Sequence, residues 1–364
     1  MADVKNFAVH KTENLLKQVE AMAGCEAYRD SVIRIMPDGH PGKGAVVGST
    51  ITYGDKIVPS TVGVDIACRV SLYRLPSTVD FEKLDEAVHQ AVPAGFNVQE
   101  REDVKSVTFD YTDLRCWGEF SEDEQNRIRL SMGTLGGGNH MIAVDEHLDH
   151  TRKELLIHCG SRSLGVKVAD HYTKVAMETH GSEGEYAYVS GQDMEDYLHD
   201  MDVVKWWTKL NHDAIYENVA SRMGWAWRTL NRTCVHNYVD TEDRVIRKGA
   251  ISAHSGELGI IPLNMRDGVL VVKGRGDDDW NRSLPHGAGR VMSRHEARKN
   301  IGLDEYVGTM RGVYSSTVNE GSIDEAPMAY NDWEAIARAI EPNALVVDKL
   351  LELYNFKDDS KQRV

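Results

Sequence analysis

The most reactive grouping in this chain is Pro285-His286-Gly287-Ala288-Gly289-Arg290. Small residues beside a histidine let a ligand approach the backbone closely. Arg290 offers a planar fork that matches two phosphate oxygens. The following "VMSRHEARKN" reads as the first turns of a helix, whose free N–H groups and positive dipole end favour phosphate. A histidine so placed is able to attack phosphorus and form a phosphoramidate. Alone, the run is more often a loop histidine, so its meaning depends on the rest of the chain.

Five candidate metal ligands accompany it: Asp65 and Cys68 in "GVDIAC", His140 in "GGGNH", His158 in "LLIHCG" and His236 in "CVHNY". Each follows a strand-like run or a glycine loop, the rigid settings from which folds present ligands. One thiolate, three imidazoles and a carboxylate suit a borderline transition metal such as Mn, Zn, Fe or Co, and a bridging Cys68 would allow two ions. Singly, each is more often structural: a core cysteine, a turn-capping aspartate, a satisfied core histidine. "HPGKG" lacks the spacing of a P-loop, and Lys43 is either a phosphate contact or part of a turn. Ser161, Arg162, Arg247 and Lys248 are candidates for a local anion-binding groove.

The elements that must position these residues follow from pattern. Helices are expected over 5–23, 80–92, 164–178, 192–229 and 331–355, and strands over 31–36, 45–53, 65–75, 154–160 and 269–274. A hairpin is expected over 233–254 with its turn near Thr241-Glu242-Asp243. Residues 37–44 read as a turn, and 98–131 is polar without clear periodicity. The Trp206-Trp207 pair reads as core packing. No repeat or linker breaks the chain, so one mixed α/β (α+β) domain over 1–364 is expected, with a central cleft.

Composition narrows the class. The 364 residues are 41% hydrophobic and 27% charged, which is ordinary for a soluble globular protein. No apolar run is long enough for a membrane span, and the N-terminal stretch lacks a signal-peptide core. Five scattered cysteines fit reduced cytoplasmic thiols rather than a disulfide framework. A formal net charge of −15 argues against broad non-specific nucleic-acid binding but leaves room for a local basic groove and for divalent cations.

The ordered set "MPDGHPGKGAVVGS", "VGVDIAC", "GTLGGGNH", "HCGSRSLG", "HNYV", "RKGAISA", "IIP", "HGAGRVMSR" and "DEAPMAY", spanning 36–330, resembles the RtcB family of RNA ligases, and the terminal "NFK" resembles the family's closing lysine. The resemblance implies joining of an RNA 2′,3′-cyclic phosphate or 3′-phosphate to a 5′-hydroxyl, with GTP and Mn²⁺. It implies His286 as the guanylylated nucleophile. Asp65, Cys68 and His140 would hold one Mn²⁺, and Cys68, His158 and His236 a second. Asn139, His236, Asn237, Pro262, Met265, Gly287, Ala288 and Gly289 would hold the nucleotide, with Lys357 on the guanine. Arg162, Lys248 and Arg290 would seat RNA phosphates. The implied enzyme is a cytoplasmic monomer, with an activating protein partner left open.

Three departures mark a divergent branch. Ala143 stands where the family has glutamate, "PLNMR" (262–266) replaces a glycine-rich run, and Ala67 and Arg69 flank Cys68 in place of glycines. The first two bear on guanine selectivity, so ATP is to be tested beside GTP. Two competing readings are a metal-dependent phosphodiesterase or phosphatase on RNA ends, needing the metal set but not His286, and a non-catalytic RNA-binding module, needing neither.

Overall fold

A computed structural model describes residues 2–225 and 229–360 and has a mixed α/β architecture. Strands are numbered along the chain. The first sheet has order β1-β2-β3-β11-β10, with β1 (Asp3–Asn6), β2 (Val32–His40), β3 (Val47–Thr52), β10 (Tyr238–Asp240) and β11 (Val245–Lys248). The second has seven strands in the order β13-β14-β16-β6-β7-β5-β9. These are β13 (Leu258–Asn264), β14 (Gly268–Gly274), β16 (Ala344–Phe356), β6 (Met141–His147), β7 (Lys153–Cys159), β5 (Cys68–Arg74) and β9 (Leu230–His236). Two small ribbons pair β4 (Lys56–Ile57) with β8 (Val189–Ser190), and β12 (Ala250–Ser252) with β15 (Ser283–Pro285).

The helices form where apolar periodicity and caps agree. Phe81–Ala91 buries Leu84, Ala87, Val88 and Ala91, and the Asp80 side chain caps it by accepting from the Lys83 N–H. The expected helices near 164–178 and 192–229 are Arg162–His180 and Gly191–Met223. The second ends on Gly224 in the left-handed conformation, a common C-cap; part of the remaining expected stretch, 226–228, lies outside the described residues. Trp207 is fully buried as expected of core packing, whereas Trp206 is 52% exposed.

Four expectations are corrected. Residues 5–23 are not one helix: β1 pairs in parallel with β2, Phe7 stacks on Trp280 at 4.0 Å, and the helix begins only at Glu13 behind the Thr12 cap. The tail is helical only over Trp333–Ile340, and Ala344–Phe356 is a 13-residue strand between β14 and β6. Its apolar spacing fits either period, and non-local pairing on both edges decides. The 233–254 hairpin is real only as β10–β11, because β9 pairs with β5 in the other sheet. Asn237, at φ 72°, is the joint at which the chain changes sheets. Residues 37–40, expected in a turn, extend β2, and 98–131 holds two short helices, Val104–Thr108 and Glu122–Leu130, with intervening 3₁₀ turns.

Candidate metal and nucleotide centre

The ligand candidates converge because four adjacent strands bring them to one end of the large sheet. Cys68 opens β5 opposite His236, the last residue of β9, and His158 of β7 lies opposite both Val70 and Met141. His140 immediately precedes β6. Cys68 Sγ lies 3.3 Å from Nε2 of His140 and 3.3 Å from Nε2 of His158. His140 Nε2 lies 3.0 Å from Asp65 Oδ2, and the Nε2 atoms of His158 and His236 are 3.2 Å apart. Two groups with metal-ligand spacing result, Asp65–Cys68–His140 and Cys68–His158–His236, with Cys68 common to both.

The electrostatics fit a cation. Burial and neighbouring histidines hold His158 and His236 well below the usual imidazole range, so their Nε2 atoms offer lone pairs. Burial and then the Asp65 charge push the Cys68 thiol up, and a bound cation would reverse that by taking the thiolate. Burial pushes Asp65 up, but His140 beside it holds the carboxyl below the usual range. Among the described residues Nδ1 of His140 and of His236 is buried without a hydrogen-bond partner, whereas Nε2 of each faces the cluster.

The backbone around this centre is tightly constrained. Ala67 is held at φ 56° with its N–H on Asn237 O, and Asn237 donates from Nδ2 to Asp65 O at 3.2 Å. A Cβ on Gly160 would lie 1.7 Å from Asp65 Oδ1, so a side chain there would displace the Asp65 carboxylate.

His286 sits beside the metal cluster, its ring 4.7 Å from that of His236. Asp38, fully buried on β2, places Oδ2 2.8 Å from His286 Nδ1, leaving Nε2 as the free ring nitrogen. Asn331 Nδ2 donates to Ala288 O at 2.8 Å, and a Cβ on Gly289 would lie 2.4 Å from Asp38 O. A cleft of about 1070 Å³ joins His286, Asn139, Pro262, Met265 and Lys357 to the metal cluster. Lys357, 3% exposed, binds Glu325 at 3.1 Å, and burial draws its ammonium down against the opposing pull of Glu325.

The expected anion contacts are otherwise engaged. Arg290 lines the cleft, but its guanidinium bonds Met292 O, Asp324 O and Glu325 and covers the Tyr330 ring. Arg162 donates to Thr134 Oγ1 and Gly95 O. Lys248 lines the cleft, with Nζ on Val62 O at 2.7 Å, and burial brings it to about 8. Arg247 is fully buried between Asp240 and Asp243, which removes it from any groove. Lys43 is exposed and does not line the cleft. The helix expected directly after the His286 loop begins only at Arg294, and its first turn is taken up by a capping box between Ser293 and Glu296.

Two site residues escaped sequence reasoning. Asp38 lay within a stretch dense in turn formers, and Glu325 within a motif with no chemistry assigned to it. Asp38 follows Pro37 just beyond the apolar run 31–36, and its need of a partner arises only from its burial in the folded chain.

A sequence model of the family described as tRNA-splicing ligase RtcB matches residues 18–358. The chain is 31% identical to the RNA-splicing ligase RtcB of Escherichia coli, over 84% of this chain and 85% of that protein. It is 25% identical to the tRNA-splicing ligase RtcB of Nanoarchaeum equitans (84% and 83% covered) and 24% identical to that of Aeropyrum pernix (92% and 88%). With this match over nearly the whole chain, and a buried Cys–His–Asp cluster at the heart of the matched region, the protein belongs to the RtcB family of RNA ligases.

Proposed function

We propose that the chain joins RNA 3′-phosphate or 2′,3′-cyclic phosphate ends to 5′-hydroxyl ends, using GTP, two Mn²⁺ ions and a covalent histidine–GMP intermediate. The observation that carries this reading is the contiguity of His286, oriented by Asp38, with a two-lobed ligand set sharing Cys68. Asp65, Cys68 and His140 would hold one ion, and Cys68, His158 and His236 the other. Bound there, Mn²⁺ would offset negative charge on the reacting phosphates.

In this reading Nε2 of His286 attacks the α-phosphorus of GTP and pyrophosphate leaves. Asp38 keeps the proton on Nδ1, so the attacking nitrogen carries the lone pair. The guanylyl group then passes to the RNA 3′-phosphate, formed beforehand by opening any cyclic phosphate. Finally the 5′-hydroxyl attacks the activated phosphate and GMP leaves. Asn139, His236, Asn237, Pro262, Met265, Gly287, Ala288 and Gly289 would cradle the nucleotide, with Lys357 at the base. Arg162, Lys248 and Arg290 would supply positive charge to the RNA path. We also read 1–364 as one cytoplasmic, monomeric unit. The run of large-sheet strands from Cys68 to Phe356 supports a single unit.

The test is incubation with labelled GTP or ATP and Mn²⁺, followed by a denaturing gel. Wild-type protein is predicted to gain an acid-labile, alkali-stable label, preferring GTP, and His286→Ala to lose label and end joining while still binding metal. Absence of label from either nucleotide sinks the reading. Joining that survives in His286→Ala would point to a different covalent route.

A further inference from the structure

β6 and β16 lie side by side, His140 preceding the first and Lys357 following the second. Within this ladder Glu352 stands directly across from Asp145, and Asp145 across from Glu154 of β7. Cross-strand partners project from the same face, so three carboxylates form a row over three strands. All are buried: Asp145 0%, Glu154 1% and Glu352 5% exposed. Like charges so placed oppose sheet pairing, and buried charge must be paired or neutralised.

Glu154 has partners. Its Oε1 accepts from Asn231 Nδ2 at 2.7 Å and faces His147 Nε2 at 2.9 Å, while His147 Nδ1 faces Asp348 at 2.6 Å. Among the described residues, neither oxygen of Asp145 has a donor, and neither has Oε2 of Glu352. Glu352 Oε1 accepts only from Asn355 Nδ2, at 2.6 Å. The remaining charged groups facing Glu352 are Asp267, itself acidic, and Lys357, already bound to Glu325. Asp145 and Glu352 thus face each other across the ladder, buried and, among the described residues, with no cation to pair them. Two carboxylates so placed share a hydrogen bond only when one carries a proton.

We propose that Asp145 and Glu352 form a buried one-proton site that clamps β6 to β16, tying the strand that follows His140 to the strand that precedes Lys357. When the pair ionises, the proton passes to solvent, the shared hydrogen bond is lost and two negative charges face each other. Burial and then the Glu352 charge push Asp145 well above the usual carboxylate range, and burial pushes Glu352 up to about 7. The folded chain therefore keeps a proton that the unfolded chain releases near its ordinary carboxyl pKa. The clamp's contribution is full below that pKa and is lost as pH rises through the raised range of the folded pair.

The test is thermal unfolding of the full chain in EDTA from about pH 5 to about pH 8, beside Asp145→Asn and Glu352→Gln. Wild type is expected to lose stability across this range. Either amide variant is expected to lose much of that slope, because an amide N–H replaces the labile proton. An unchanged slope in both variants overturns the proposal. Should neither variant fold, infrared difference spectra of the wild type decide. A carboxylic C=O band that vanishes on titration past neutrality supports the clamp, and its absence throughout overturns it. Added Mg²⁺ that raises the wild-type midpoint but not that of Asp145→Asn also overturns it, since the row would then hold a cation.

Discussion

At the scale of single residues, Cys68 is the vertex of the centre. Because its Sγ faces ligands of both sets, Cys68→Ala is predicted to weaken both metal sites, whereas His140→Ala weakens only the one it shares with Asp65. Calorimetric titration with Mn²⁺ reads this, and unchanged stoichiometry in Cys68→Ala would refute the shared-thiolate arrangement. Asp38→Asn is predicted to slow nucleotide adduct formation by about ten- to a hundredfold, the scale of losing an orienting partner, with metal binding unchanged. An adduct rate equal to wild type would mean that Asp38 serves packing alone. The candidate metal ligands and His286, which the structure brings together, stood out in the sequence because reactive types stood beside glycines and strand ends. Asp38 did not, because its identity as a partner exists only once β2 lies against the His286 loop.

At the scale of elements, caps and glycines pin the loops that matter. Ser293 and Glu296 satisfy two donors at the start of the short helix Arg294–Asn300 reciprocally, so neither of these is open to a phosphate. Ser293→Ala is predicted to cost about 0.5–2 kcal/mol of stability while leaving the rate of self-nucleotidylation within error of wild type. A loss of rate at unchanged stability would restore that helix end as a phosphate site. Most elements were legible from periodicity. The exceptions share a cause: 5–23 and 331–355 contain spacings that satisfy a helix, yet β1 and β16 are fixed by partners far away in sequence. Local pattern does not carry that information.

At the scale of the molecule, an acidic chain gathers its cationic cleft groups from distant stretches and engages them internally before any ligand arrives. Lys357 is held by Glu325, Arg290 by Glu325 and Asp324 O, and Lys248 by a backbone carbonyl. Net charge alone, read from composition, hid this arrangement. No described helix is long and apolar enough to cross a membrane. The position of β16 has a further consequence, for biosynthesis. Its 13 residues lie between β14 and β6, so without them the large sheet is two separate pieces, β13-β14 and β6-β7-β5-β9. A chain still emerging from the ribosome holds every candidate metal ligand and His286 well before the strand that joins those pieces has been translated. Domains fold as units during synthesis, and exposed strand edges at β14 and β6 would wait unpaired until that strand arrives. Assembly of the centre thus waits on the translation of β16, and a nascent chain arrested before it carries the candidate ligands and His286 without the sheet that aligns them.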